Sequence, residues 1–299
     1  VTGEGGLEKA GRGLLILTGA NDYSGITQIS GGFLRISDVG QLGSNVGATA
    51  VNLNGGTLEM RSDTGAGFSS KRVTLTNTAT VFVDHAVDTL GLNQNINFGI
   101  LGLVANLTMT VNGRNGTSLT FTGNQVAASL ANNNTFTINA NGLFTIAGNA
   151  WNNTNTTART LTIGGAGDTL ITGSVLASGA NHILTKSGTG TLTINGAGST
   201  YLGATNINGG TVVVRDFRSL NNNSEVINIG TGGTAGTLSI GTSTAPTAAG
   251  LTTSKVINLA GTTGTATINA NQSITSPVIL NADFTAAGTA SQHKTLILG

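Results

Sequence analysis

Asp84-His85 with Asp88 is the densest cluster of ionisable side chains in the chain, and it is the first place to look for a metal or an acid–base pair. Either chemistry needs several groups converging on one point, and three residues in one short stretch read more simply as a solvated corner. The other two histidines, His182 at the start of a strand and His293 in the terminal phrase, read as surface residues. Asp22, Asp38, Asp63, Asp168, Asp216 and Asp283 each stand alone in sequence, so the paired carboxylates of a glycosidase are not written into any local motif. Gly164-Gly165-Ala166-Gly167-Asp168-Thr169-Leu170 resembles one calcium-binding nonapeptide with a residue missing. Such sites need tandem copies to complete their coordination, so this one reads as a Gly-rich turn. Gly11-Arg12-Gly13 and Gly188-Thr189-Gly190 lack the following helix of a phosphate loop, and no nucleophile elbow is present. Trp151, among Asn149, Asn152, Asn153 and Asn155, reads as a corner residue packing on the main chain; the alternative is an exposed contact for a sugar or a partner. No catalytic residue, cofactor or metal site is expected, and the chain is not read as an enzyme.

Composition narrows the classes further. Only 8% of the residues are charged, against about 25% in ordinary soluble proteins; Asn, Thr, Ser and Gly must cover the surface instead. Apolar residues make up 38% and recur in short bursts, which a disordered chain lacks. The net charge is +1 and the only adjacent basic pair is Lys71-Arg72, so no basic face for nucleic acid is expected. No apolar run approaches the ~20 residues of a membrane span. Cysteine is absent, which removes disulfides, thiolate metal sites and thiol nucleophiles together.

The positions that must hold the chain together emerge from an internal repeat. LEKAGRGLLILTGANDYSGITQISGGFLRIS (7–37) and LTKSGTGTLTINGAGSTYLGATNINGGTVVVR (184–215) are versions of one sentence. Lys9 matches Lys186, Gly11 matches Gly188 and Gly19 matches Gly196 at an offset of 177. After one inserted residue, Tyr23 matches Tyr201 and Gly31-Gly32 match Gly209-Gly210 at an offset of 178. These are read as structural positions: the Tyr rings cover a coil corner, the Lys side chains lie along a rung face, and the glycines serve tight corners. Val51-Asn52-Leu53 is echoed by Ile227-Asn228-Ile229 and again by Ile257-Asn258-Leu259. The start within the pattern and the unfinished last phrase read as a piece of a longer array.

Each phrase has three to five residues alternating apolar and polar, then Gly or Asn, as in Leu192-Thr193-Ile194. Alternation of this kind marks strands with one buried face. Strands this short and this evenly spaced suit a coil better than the hairpins of a sandwich. The expected fold is all-β, one continuous right-handed parallel β-helix over 1–299. At roughly 20–30 residues per coil it has about a dozen rungs. Stacking like residues at about 4.8 Å also explains the low charge, since a column of one sign would repel itself.

The phrases at 184–194 and 205–212, and the first copy through Gly19, Asn21, Tyr23, Gly25 and Thr27, resemble the autotransporter-associated β-strand repeat. The resemblance implies a passenger of a Gram-negative type V secretion system, exported unfolded and wound outside the cell as a right-handed β-helix. The C-terminal membrane barrel of that family is not seen in this chain. The expected role is structural and adhesive at the cell surface. Expected partners are a second copy, side by side or end to end, or a surface glycan, with no nucleic acid. Alternatives are a subunit of an extracellular fibre or sheath and, less favoured, a polysaccharide-active enzyme.

Overall fold

The computed structural model describes residues 1–45, 50–87, 94–104, 106–123, 126–127, 133–153, 156–221, 225–242, 246, 248–261, 265–270, 277–286 and 295–298. Two compact units are formed, Val1–Ala147 and Gly148–Gly299. Each is a parallel β-helix, and the described residues contain no α-helix.

In the Val1–Ala147 unit the chain visits three sheets in turn. One ladder runs Leu7–Lys9, Thr27–Ile29, Val51–Leu53, Val73–Leu75, Leu101–Leu103, Val126–Ala127. A second runs Leu14–Ile16, Phe33–Ile36, Thr57–Arg61, Ala79–Asp84, Thr108–Gly113, Asn134–Ile138. A third runs Ala66–Phe68, Asn95–Phe98, Ser118–Phe121, Phe144–Ile146. All these pairings are parallel, and ladder neighbours lie from 19 residues apart (Leu14 and Phe33) to 30 apart (Thr80 and Thr110). A parallel neighbour at that separation is the next turn of a coil, which is why three-residue strands suffice: each is paired above and below rather than closed by a hairpin.

Alternation then sorts the side chains. Ile29, Leu53, Leu75 and Leu103 form one inward column, and Leu34, Leu58, Val81 and Val111 another. All eight are buried. Phe68, Phe98 and Phe121 stack inside the third sheet with centroids 4.9 and 5.9 Å apart, and Phe144 meets Phe121 edge-on at 6.2 Å.

The Gly148–Gly299 unit repeats the plan. Thr160–Gly165, Ile183–Lys186, Thr205–Ile207, Ile227–Gly232, Ile257–Gly261 and Phe284–Ala286 form one ladder. Thr169–Ile171, Thr191–Ile194, Gly210–Val214, Gly236–Ile240, Thr265–Ala270 and Thr295–Leu298 form another. The echo of Ile227-Asn228-Ile229 in Ile257-Asn258-Leu259 has a direct cause: the two triplets are paired residue for residue in adjacent coils.

Both repeat copies fold alike. Leu7–Lys9 pairs with Thr27–Ile29 as 184–186 pairs with Thr205–Ile207, and Leu14–Ile16 pairs with Phe33–Ile36 as Thr191–Ile194 pairs with Gly210–Val214. Each copy ends in a short 3-10 turn, Val39–Leu42 or Phe217–Ser219. Asp38 and Asp216 cap these turns, accepting from the backbone N–H of Gly40 and Arg218 at 2.8 and 3.0 Å. Two aspartates that stand alone in sequence are therefore one structural feature at a matched offset of 178.

Candidate adhesive surface

The matched repeat residues lie inside the coils rather than on them. Lys9 occupies an inward position in register with Ile29, and Lys186 one in register with Ile207; they are 6% and 2% exposed. This corrects the expectation that they lie along a rung face. The physical reason is that the stem packs as an apolar chain while the ammonium finds acceptors at the corner. Lys9 Nζ donates to the carbonyls of Ala10, Gly11 and Gly31 at 2.7, 2.8 and 3.0 Å. Lys186 Nζ donates to those of Ser187 and Gly188 at 2.5 and 3.2 Å. Lys71 and Lys255 do the same elsewhere, the first to Gly43 and Asn45, the second to Asn221. The rings of Tyr23 and Tyr201, expected to cover a coil corner, lie in the interior. Both are buried, and each hydroxyl bonds a threonine of the same copy, Thr27 at 2.5 Å and Thr205 at 2.7 Å.

The glycines divide by backbone. Gly11 and Gly188 have φ of +69° and +70°, and Gly32 and Gly210 have +61° and +64°, a region that costs an L-residue about 1–2 kcal/mol. Gly19, Gly31, Gly196 and Gly209 carry no such φ. A Cβ on Gly11 would meet open space, whereas one on Gly188 would run into the Gly165 backbone. Gly11→Ala is expected to cost about 1–2 kcal/mol from its dihedral alone. Gly188→Ala should cost at least about 1 kcal/mol more, because a main-chain clash adds to it. Urea midpoints of the two variants check this, and equal losses would refute the packing at Gly188.

The histidine and tryptophan positions are structural too, two of them against expectation. Asp84 and His85 are buried, not a solvated corner. Asp84 Oδ1 accepts from the His85 N–H and from Asn115 Nδ2, both at 2.9 Å, and Asp63 Oδ1 accepts from the N–H groups of Ala86 and Val87 at 2.8 and 3.0 Å. One oxygen of each carboxylate thus serves the turn, while Asp84 Oδ2 and both ring nitrogens of His85 are buried with no hydrogen-bond partner among the described residues. Asp88 and His293 lie outside the described residues, among which no three His, Asp or Glu side chains are placed to hold a metal. His182 is also buried rather than on the surface. Its Nδ1 accepts from the Arg159 N–H and its Nε2 faces the Ser178 carbonyl, each at 3.2 Å, which assigns the proton to Nε2. Trp151 packs on the coil at φ +55°, edge-on to His182 at 5.3 Å. Asp168 accepts from the Thr191 N–H at 2.8 Å, bracing the Gly-rich turn.

What remains for contact with another molecule is the outer face. Side-chain ladders run along it. In the first unit Gln28 donates to Glu8, Asn52 to Gln28 and Thr76 to Asn52 at 3.1, 3.0 and 2.8 Å. The Glu8 carboxyl lies below its usual range because Ser30 and Gln28 donate to it. In the second unit Asn206, Asn228 and Asn258 form an amide ladder with steps of 2.7 and 2.9 Å.

The second sheet of the Val1–Ala147 unit carries the one strongly featured patch among the described residues. Outward positions Leu14, Phe33, Thr57 and Thr80 share a column, and Arg35, Glu59, Phe82 and Asn112 the next. They line an open groove of about 500 Å³. Phe33 is 47% exposed. Glu59 binds Arg35 through two hydrogen bonds, at 2.9 and 3.1 Å, and Arg61 through one at 2.7 Å. Burial works to raise the Glu59 carboxyl, but those bonds outweigh it and hold it below the usual range, so it stays ionised. The guanidiniums of Arg61 and Arg114 sit over the Phe82 ring at 5.9 and 5.7 Å. Sequence reading missed this groove because its residues come from five coils.

Comparison with known proteins agrees with the architecture. The Passenger-associated-transport-repeat family matches residues 7–36 and 184–214, the two copies described above. A relative, the Adhesin BmaC autotransporter of Brucella suis biovar 1 (strain 1330), is 40% identical over 94 residues, 31% of this chain but only 2% of that protein. No solved structure matches the chain at a significant level. Each of the two segments that match the transport-repeat family is wound as neighbouring parallel coils, and in these repeats the chain is similar to autotransporter passengers, secreted proteins of the cell surface.

Proposed function

We propose that the chain is a structural and adhesive passenger that acts through its outer face, by association with a second copy or by adhesion to another surface, and not by catalysis. The observation that carries this reading is where the polar groups are spent. The buried lysines, the buried Asp84 and Asp216, and His182 bond the chain's own corners, while the outward Asn, Gln and Thr form repeating ladders. The name of the Brucella relative, an adhesin, supports the same role. A ladder of neutral amides presents a donor and an acceptor at each rung, and many weak contacts add along its length.

The test is to display the chain on cells that do not otherwise aggregate and to measure settling and adherence to an abiotic and an epithelial surface. Displaying cells are expected to aggregate or adhere at least about tenfold more than controls. Asn206→Asp with Asn228→Asp, which places like charges one rung apart, is expected to reduce self-association. Displayed, folded chain that changes neither settling nor adherence would overturn the reading.

A further inference from the structure

We propose that the groove on the second sheet of the Val1–Ala147 unit is a binding site for an acidic glycan, with sugar rings against Phe33 and Phe82 and carboxylates taken by Arg61 and Arg114. The proposal rests on the adhesive reading and names the chemistry of one partner.

The three arginines around the groove are unequally committed. Arg35 commits its Nε and Nη2 edge to a two-point contact with Glu59. Arg61 gives Glu59 only its Nε–H. The exposed Arg114 guanidinium hydrogen-bonds to none of the described residues and sits over the Phe82 ring. Stacking on a ring occupies the face of a guanidinium and leaves its N–H groups, which lie in the plane, free for an acceptor. Two such forks beside one ring favour a carboxylate, which guanidinium binds in a bidentate fashion. Charge agrees: Arg35, Arg61 and Arg114 against Glu59 and the buried Asp84, the register partner of Arg61, leave this face with an excess of one positive charge.

Shape agrees as well. The floor is a sheet face whose columns advance about 4.8 Å per coil. Phe33 and Phe82 lie on strands two coils apart, with the hydroxyls of Thr57 and Thr80 between. An extended polymer with a flat apolar ring face and hydroxyls at each unit matches such a floor: rings stack on the aromatics while hydroxyls meet the threonines. An acidic peptide fits less well. A peptide gains most by pairing with a sheet edge, and Phe33–Ile36, Thr57–Arg61 and Ala79–Asp84 are paired on both sides.

The test is calorimetric titration of the full chain at low salt with oligogalacturonate, with a neutral dextran oligosaccharide and with poly-glutamate. Oligogalacturonate is expected to bind, dextran not measurably, and poly-glutamate at least about tenfold more weakly. Arg114→Gln, which breaks no side-chain hydrogen bond to the described residues, is expected to weaken uronate binding by about tenfold and to lower its salt dependence. Arg61→Gln should add to that loss. Circular dichroism of both variants and the thermal transition of Arg114→Gln should match the parent, while Arg61→Gln, which gives up its bond to Glu59, is read by binding with the fold checked by circular dichroism. Absence of uronate binding, binding unchanged in Arg114→Gln, or equal binding of dextran or poly-glutamate would each overturn the proposal. Settling and adherence of cells displaying Arg114→Gln separate the two claims. Retained adhesion without uronate binding removes only the glycan site, whereas a parent chain with neither property removes the adhesive reading as well.

Discussion

Phe121→Ala is expected to lower the stability of the Val1–Ala147 unit by about 3–5 kcal/mol. The ring is fully buried, with Phe98 at 5.9 Å on one side and Phe144 at 6.2 Å on the other. Neither neighbour can move in to fill the space, because each belongs to its own coil and is fixed by the ladder above and below it. Truncation therefore loses the transfer energy of the ring and leaves a cavity. In a stacked array a layer contacts chiefly its neighbours, so the loss should appear as faster amide exchange at Asn95–Phe98, Ser118–Phe121 and Phe144–Ile146 before it appears elsewhere. Phe121→Leu keeps most of the volume and should cost less than about 1.5 kcal/mol. Denaturant midpoints with residue-resolved hydrogen exchange measure both. A Phe121→Ala loss below about 1 kcal/mol would show that the inward column is not packed as described.

That column was legible in the sequence: alternation around Leu119-Thr120-Phe121 gives the strand, and the inward parity of Phe121 follows from its buried neighbours. So was the shared backbone of the two repeat copies. The insides of the corners were not. Lys9, Lys186, Tyr23, Tyr201 and His182 carry polar atoms that solvent would satisfy, so residue type alone sends them outward. In the folded chain corner carbonyls, or a threonine at i+4, stand in for water. The capping of Asp38 was within reach, since Asp38 and Gln41 have the spacing of a capping box. The groove was out of reach for a different reason. Phe33 pairs with Thr57 at a separation of 24 and Thr57 with Thr80 at 23, but Thr80 with Thr110 at 30. Unequal coil lengths leave no fixed period that would bring Arg114 to Phe82.

The lysines give the second large effect, and its sign is unusual. Four of the five lysines in the sequence, Lys9, Lys71, Lys186 and Lys255, are buried. Burial pushes Lys186 from 10.5 down to about 8, against the opposing charge of Asp168, and pushes Lys255 down to about 8 as well. The unfolded chain holds both protons up to about pH 10.5, so between pH 8 and that point it binds more protons than the folded chain. Stability then rises with pH; it is complete above the unfolded value and lost as pH falls through about 8. Each displacement, at about 1.4 kcal/mol per pH unit and discounted by about half for solvent screening, is about 1.5–2 kcal/mol. The Gly148–Gly299 unit should therefore gain about 3–4 kcal/mol between neutral pH and about pH 10. Tyr201 acts in the opposite direction. Burial raises its hydroxyl well above 10, so its contribution is complete below pH 10 and is lost as pH climbs beyond. Chemical denaturation across this range should place the maximum near pH 10, and Lys186→Met with Lys255→Met should flatten the rise whatever it does to the level. A native chain whose stability is flat or falling from pH 8 upward would mean that the ammonium groups are hydrated in the folded state, and that the corners are open to water where the coordinates close them.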